Sequence, residues 1–406
     1  MPKWDVKFDI QVQTQQPELI ALIQRAYAFA SVIRRIPIRP SRQDRIDALN
    51  ILRAVRGTTG IEGAELTTEE VQHIMEAPPN KPVLPPNRRR EEQEARNAEQ
   101  VMYYVARQLS NNPDLLLTER LVCKLHEITT QNIDYPHNIP GKYRTWPVSA
   151  GTYVPPQDGD KIRRLMKKFI SWFNKGAPTS WDPIVRAIVA HFYVVSIHPF
   201  GDGNGRTARA VESFLLYKAG INARGFYSLA NYYYHYREEY VQYLDQVRFE
   251  TGGDLTPFVL FALRGLAEEL EAVHNEILRE IQEITFRDFA REQLQEKLAT
   301  KSGERMINFI LNLGNRSVQL KDIYHGKDVL ATLYRNLTPK TLFRDLVYLR
   351  KRELITVDNG VVRANIGIMS KFVPPYELTK APFTSTELPA EKTEEDRPHA
   401  GDKVKR

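Results

Sequence analysis

The chain has 406 residues, 42% hydrophobic and 26% charged, with 57 Lys and Arg against 50 Asp and Glu. This is the balance of a soluble globular protein of two or three domains, and the net charge of +7 mildly favours phosphate-bearing partners. No run reaches the roughly eighteen apolar residues of a membrane span, and MPKWDVKFDIQ has no signal-like apolar core. The single Cys123 excludes an internal disulfide or a cysteine metal site, so a cytoplasmic protein is expected.

Residues 1–100 read as an N-terminal helical region. ELIALIQRAYAFASVI has helical apolar spacing, Ser41 stands as an N-cap before RQDRIDALNILRAV, and Thr67-Thr68-Glu69-Glu70 marks another helix start. The proline-rich PPNKPVLPPNRRREE (78–92) reads as a linker whose Arg88-Arg89-Arg90 is solvated. A second region, 101–270, opens with helical patterning through LLTERLVCKLHEITT. GKYRTWPVSAGTYVPP (141–156) then has the β-formers and turn of a short hairpin. DPIVRAIVAHFYVVSI is apolar on every side, which predicts a helix in the middle of a bundle, ended by Pro199. A connecting helix spans 271–300. In 301–372, short helices precede ITVDNGVVRAN, whose Asp358-Asn359-Gly360 predicts a hairpin and hence a winged helix-turn-helix. The Pro-, Thr- and Glu-rich tail 373–406 reads as disordered.

The chemistry concentrates in SIHPFGDGNGRTARAVESF (196–214). A Walker A loop and a dinucleotide fingerprint both fail because Arg206 stands where glycine is required. An EF-hand counted from Asp202 fails because Thr207 and Ser213 take its obligatory Gly and Glu positions. What remains is an anion nest. Gly203-Asn204-Gly205 can turn backbone N–H groups inward at the start of a helix. Arg206 and Arg209 share a face of that helix and lean toward the same anion. Asp202 is a carboxylate suited to Mg²⁺ beside phosphates, and His198, at a rigid helix end, suits a general base.

HPFGDGNGRTAR resembles, residue for residue, the signature of Fic-domain proteins, and the likeness extends from the N-terminal helices to about residue 270. It implies a mainly α-helical Fic bundle with a hairpin flap, and AMPylation: transfer of AMP from ATP to a Ser, Thr or Tyr hydroxyl of a protein, with Mg²⁺. By the same resemblance, His198 is the base, Phe200 a core anchor and Asp202 the Mg²⁺ ligand. Gly203, Asn204, Gly205, Arg206 and Arg209 bind phosphates, and Tyr240 lies beside the adenine. The target protein would dock as an added strand at the flap, 145–154. De-AMPylation or another phosphate-group transfer, and a nucleotide-sensing DNA-binding regulator, stay as alternatives.

TTGIEG (58–63) resembles the family's inhibitory motif, with Thr58 and Glu62 on one helix face. Glu62 would pair with Arg209 and occupy the place of the γ-phosphate. Gly57 and Gly60 are expected to make this turn marginal, so that Gly60→Ala would tighten it. His191 reads as a core histidine, and His126, like the other histidines, lacks metal-ligand spacing. Lys340, Arg344, Arg350, Lys351 and Arg352 leave open a contact to DNA or protein through 301–372, and a homodimer is equally open.

Overall fold

The structure, a computed structural model, describes residues 5–222 and 229–372; the expected disordered tail lies outside the described residues. The chain divides into two compact units, 1–281 and 282–406. The first unit holds α1 (Pro17–Arg35), α2 (Pro40–Ile61), α3 (Thr68–Glu76), α4 (Arg89–Asn111), α5 (Glu119–Thr130), α6 (Gly159–Lys175), α7 (Pro183–Ile197), α8 (Asn204–Lys218), α9 (Ala230–His235), α10 (Arg237–Phe249) and the first part of α11 (Thr256–Gln293). The second holds the end of α11, α12 (Lys301–Leu313), β1 (Val318–Gln319), α13 (Leu320–Tyr324), α14 (Pro339–Lys351), β2 (Ile355–Asp358) and β3 (Val361–Ala364).

The centre of the first unit is α7. Asp182 caps it and Pro183 starts it, and Ile184, Val185, Ile188, Val189, Phe192, Tyr193 and Val194 are all inaccessible to solvent. Because α7 is apolar all round, helices must cover every side, and α8 lies along it. The N-terminal region is sewn into this unit rather than set apart. Phe8 stacks on Tyr193, Tyr193 donates to the Lys7 carbonyl, and Gln11 bridges to the backbone at Gly253 and Leu255 before α11.

Several local expectations shift. α2 begins at Pro40 with Arg39 at its N-cap, because proline is preorganised for the first helical position; Ser41 lies inside. Thr67 does cap α3, in a reciprocal capping box with Glu70. The 78–92 segment is anchored, not a loose linker. Glu92 accepts the Val83 and Leu84 N–H groups, and Arg88 pairs with Glu70 and Glu91. The 141–156 hairpin shrinks to one β-bridge, Ala150 to Tyr153, around Gly151 and Thr152, because Pro147, Pro155 and Pro156 deny a longer ladder.

In the second unit the sheet order is β1-β3-β2, all antiparallel. Asn359 and Gly360 take positive φ (50° and 75°) in the two-residue turn, as the Asn-Gly pair predicts. Its core gathers Phe286, Ala290, Leu294, Phe309, Ile310, Leu313, Leu330, Leu349, Leu354 and Val362. Inside it Asp345, only 2% exposed, pairs with Arg305 and accepts from Tyr334. Residues 286–294 therefore pack with the second unit, so the division falls at 281/282 rather than across a free connecting helix.

That division gives a test by truncation. A chain ending at Ile281 should stay soluble and melt in one cooperative transition. One ending at residue 299 keeps Phe286, Phe289 and Leu294 without their partners and should aggregate on concentration, read by light scattering. Equal behaviour of the two would refute this boundary.

Candidate active site

α7 ends at His198, which adopts a left-handed conformation (φ 53°, ψ 58°) before Pro199. Such backbone is uncommon outside glycine and turns the imidazole out of the helix line. Two things hold it there. The Arg144 side chain, fully buried, donates to the carbonyls of His198, Trp146 and Pro156, and the Arg144 N–H donates to Pro199. With no carboxylate beside it, burial lowers the Arg144 pKa to about 10. His198 Nδ1 lies 3.3 Å from the Val195 carbonyl, which leaves Nε2 as the ring's acceptor. Burial, with the Arg144 and Arg248 charges, lowers the His198 pKa to about 4 against the pull of Glu62, so the ring is neutral at pH 7.

The loop from His198 to Arg206 closes on itself. The Asn204 amide accepts from the Phe200 N–H and donates to the Phe200 carbonyl, both at 2.9 Å. The Asn204 side chain is thus spent on the loop, which leaves its backbone N–H for the expected nest. Phe200 is fully buried, as an anchor should be. Gly201 is forced by space, since a Cβ there would stand 2.1 Å from the His137 carbonyl oxygen. The first N–H groups of α8, from Asn204 onward, have no intrahelical acceptors and mark an anion site at the helix N-terminus.

Both arginines are buried and paired. Arg206, 5% exposed, donates to the Tyr135 hydroxyl at 2.7 Å and lies 3.2 Å from Glu94 and 3.3 Å from Asp202. Arg90, solvated as expected with 55% of its side chain exposed, also lies 3.1 Å from Glu94 and 3.6 Å from Asp202, over the Tyr135 ring. Arg209 donates to the Thr58 hydroxyl at 2.9 Å, the Thr58 carbonyl at 3.0 Å and Glu62 at 2.6 Å. Burial pushes the Glu62 carboxyl up, but Arg209 and Arg206 outweigh it and hold the group below the usual carboxylate range.

Glu62 is placed by a helix ending. It is the C-cap of α2, followed by Gly63 at φ 99°. Gly63 N–H bonds to Gly60 and Ala64 N–H to Thr59, the paired bonds of a Schellman motif, whose left-handed position glycine fills without strain. The carboxylate then falls against Gly205, where a Cβ would be 2.3 Å from Glu62 Oε1. Glu62 thus sits on the first turn of α8, where an anion would bind.

Tyr240, expected beside the adenine, is 3% exposed; its hydroxyl meets His191 at 2.8 Å and one ring face stacks on Tyr233. His191 is a core histidine between Tyr240 and Glu212. The flap turn is tethered by Thr152 to Asp245 and by the Tyr153 hydroxyl to the Ser196 carbonyl, while the stretch 145–149 pairs with no strand among the described residues. Sequence reasoning missed Arg144, Glu94, Tyr135, Arg90 and His126. Only Arg144 stood in a stretch the sequence singles out, as the arginine of GKYR at the start of 141–156.

The Fic/DOC family model matches residues 116–216. Protein adenylyltransferase Fic of Aedes aegypti is 36% identical over 160 residues, 39% of this chain and 30% of that protein. The protein of the same name from Nematostella vectensis is 28% identical over 215 residues, 52% of this chain and 46% of that protein. The chain therefore matches less than half the length of these curated relatives. Among solved structures, a Fic family protein from Desulfovibrio desulfuricans G20 covers 90% of this chain and 98% of its own at 19% identity, TM-score 0.50. Fic-1 from C. elegans covers 64% of this chain and 73% of its own at 23% identity, TM-score 0.52. Both show likeness of fold.

Gly57 and Gly60 turn out to be contact glycines rather than hinges. A Cβ on Gly57 would stand 2.7 Å from the Ala230 backbone, and one on Gly60 would stand 2.4 Å from the Tyr234 ring. Gly60→Ala therefore tightens the turn only if the Tyr234 ring moves aside. Gly57→Ala should force α2 from α9 and destabilise the first unit by about 1–3 kcal/mol, measured by urea unfolding. A variant as stable as the parent would show that the two helices are not in close contact.

Proposed function

We propose, from the match of residues 116–216 to the Fic/DOC family model, that the protein transfers AMP from ATP to a hydroxyl of a target protein and is held in check by Glu62. The observation that carries this reading is the convergence on one helix N-terminus of a neutral imidazole and two buried arginines, each paired with a carboxylate from another helix. An ATP triphosphate matches such a cationic, N–H-rich site. His198 Nε2 takes the proton of the Ser, Thr or Tyr hydroxyl, whose oxygen attacks the α-phosphorus. The bond to the bridging oxygen breaks and pyrophosphate leaves with both electrons. Arg209 and Arg206 would neutralise the outer phosphates, which for Arg209 requires Glu62 to leave.

The donor set fits a divalent cation carried by the nucleotide. Asp202 is a single half-exposed carboxylate, and no group of three potential protein ligands exists among the described residues. Mg²⁺ would add charge neutralisation on the phosphates, with Asp202 turning from Arg90 and Arg206 to hold it. The unpaired stretch 145–149 supports docking of an extended target segment by strand addition. The second unit's order of helix, strand, helix, helix and hairpin supports a winged helix. Its α14 presents Lys340 and Arg344 beside Phe343 (67% exposed) and Val347 (50%), a mixed face that favours a protein contact over phosphates alone. No helix among the described residues is long and apolar enough to cross a membrane.

Intact-mass spectrometry with ATP and Mg²⁺ tests the reaction: a gain of AMP supports it, and a gain of phosphate or no gain on any hydroxyl refutes it. Glu62→Gly should exceed the wild-type rate by ten-fold or more, about 1.4 kcal/mol, and adding Arg209→Ala should abolish that gain. Should the double variant keep it, Arg209 is not what Glu62 restrains.

The pH profile gives an independent check. The active form of His198 is neutral, so the rate falls only as pH drops through the folded pKa. With that pKa at about 4, AMP transfer by Glu62→Gly should stay level from pH 8 to about 5, below the ordinary histidine value of about 6.5. An acid limb at 6.5 would contradict the burial of this base.

A further inference from the structure

His126 belongs to α5, far in sequence from the loop, and its ring is fully buried against it. Nδ1 accepts the Gly141 N–H at 2.9 Å, so the neutral ring carries its proton on Nε2, which donates to the Asp202 carbonyl at 2.9 Å. The same ring stacks on Phe200 with centroids 3.7 Å apart and planes within 4°. Asp202 is held at its other peptide group too, since its N–H donates to Asn138 Oδ1 at 3.1 Å. The 138–141 segment thus grips the imidazole and the aspartate backbone together, and the imidazole grips the loop at residues 200 and 202.

We propose that His126 is a positioning residue that presets the Asp202 carboxylate for a nucleotide-borne divalent cation, an assignment that rests on the adenylyltransferase reading above. A buried leucine or phenylalanine could fill the volume. It could not accept from Gly141 and donate to Asp202 at once, and each orphaned polar group would favour a rearranged loop. Outer partners of metal ligands commonly govern affinity by about 10–100-fold. Here the outer partner acts on the main chain of Asp202 and not on its carboxylate, which accepts the Gly203 N–H and lies beside Arg206 and Arg90.

The test compares His126→Phe, which keeps a stacking ring and loses both hydrogen bonds, with His126→Gln, whose amide can accept from Gly141 and donate to Asp202. Both are made in full-length Glu62→Gly protein. Calorimetry should show affinity for ATP with Mg²⁺ weakened about 10–100-fold by His126→Phe, affinity for ATP with chelator nearly unchanged, and His126→Gln close to its parent. In turnover, the Mg²⁺ requirement should rise while kcat at saturating Mg²⁺ stays within a few-fold. An unchanged Mg²⁺ term, or Gln no better than Phe, overturns the proposal. If His126→Phe does not fold, ¹⁵N spectra of the unsubstituted histidine decide: the Nδ1–H tautomer overturns it, and the Nε2–H tautomer with a protected proton supports it. Failure of the Glu62→Gly parent to transfer AMP would sink the functional reading, while the two calorimetric titrations would still decide the role of His126.

Discussion

Two guanidiniums buried in the first turns of α8 set the terms for everything around them. A charge removed from water must find an opposite charge and hydrogen bonds to match its donors, or the fold loses several kcal/mol. Arg206 and Arg209 are 5% and 3% exposed, so the chain brings Glu94, Tyr135 and Asp202 to one and Thr58 and Glu62 to the other. Their partners come from α4, the loop after α5, the 198–206 loop and the end of α2. Satisfying two cations therefore fixes how those elements meet.

The loop itself is rigid for a separate reason. Its ends are carried by α7 and α8, which lie along each other in the middle of the first unit, and its interior is closed by Asn204 on Phe200 and by His126 on Asp202. A phosphate site assembled from backbone N–H groups needs such support, because a main chain free to relax would lose the alignment that makes weak donors act together. Arg144 extends that support to the flap, since one guanidinium holds the carbonyls of His198, Trp146 and Pro156.

Much of this was legible in the sequence, and the division between legible and hidden follows range. The helix around Val189, the Asn359-Gly360 hairpin, the Thr67 cap and the whole 198–209 motif depend on residues close together, so spacing reveals them. Thr58 and Glu62 became visible only through resemblance, because their partner is Arg209, some 150 positions away. His126 was passed over because its partners, Gly141 and Asp202, are backbone groups that leave no side-chain signature. Tyr240 is hard to single out for the opposite reason. An aromatic-rich stretch offers many rings, and only burial separates a packing tyrosine from a ligand platform. The short flap shows propensity overruled by proline.

The two arginines are not equivalent, and the difference bears on how the proposed restraint could be lifted. Glu94 is itself buried, with its side chain 6% exposed, on the long helix α4 that packs against α5 and α8. Its pairing with Arg206 is part of the core. Glu62 is one third exposed at the last turn of α2, where a Schellman ending places it. Separating it returns a carboxylate to water at modest cost, provided that another anion takes over Arg209. A triphosphate offers more charge and more acceptors than one carboxylate, so on the proposed function nucleotide and Glu62 would compete for the same guanidinium without disturbing Arg206. Orientation can then rest on the fixed arginine and control on the contested one, which is why an inhibitory group belongs at a helix end and not in the core.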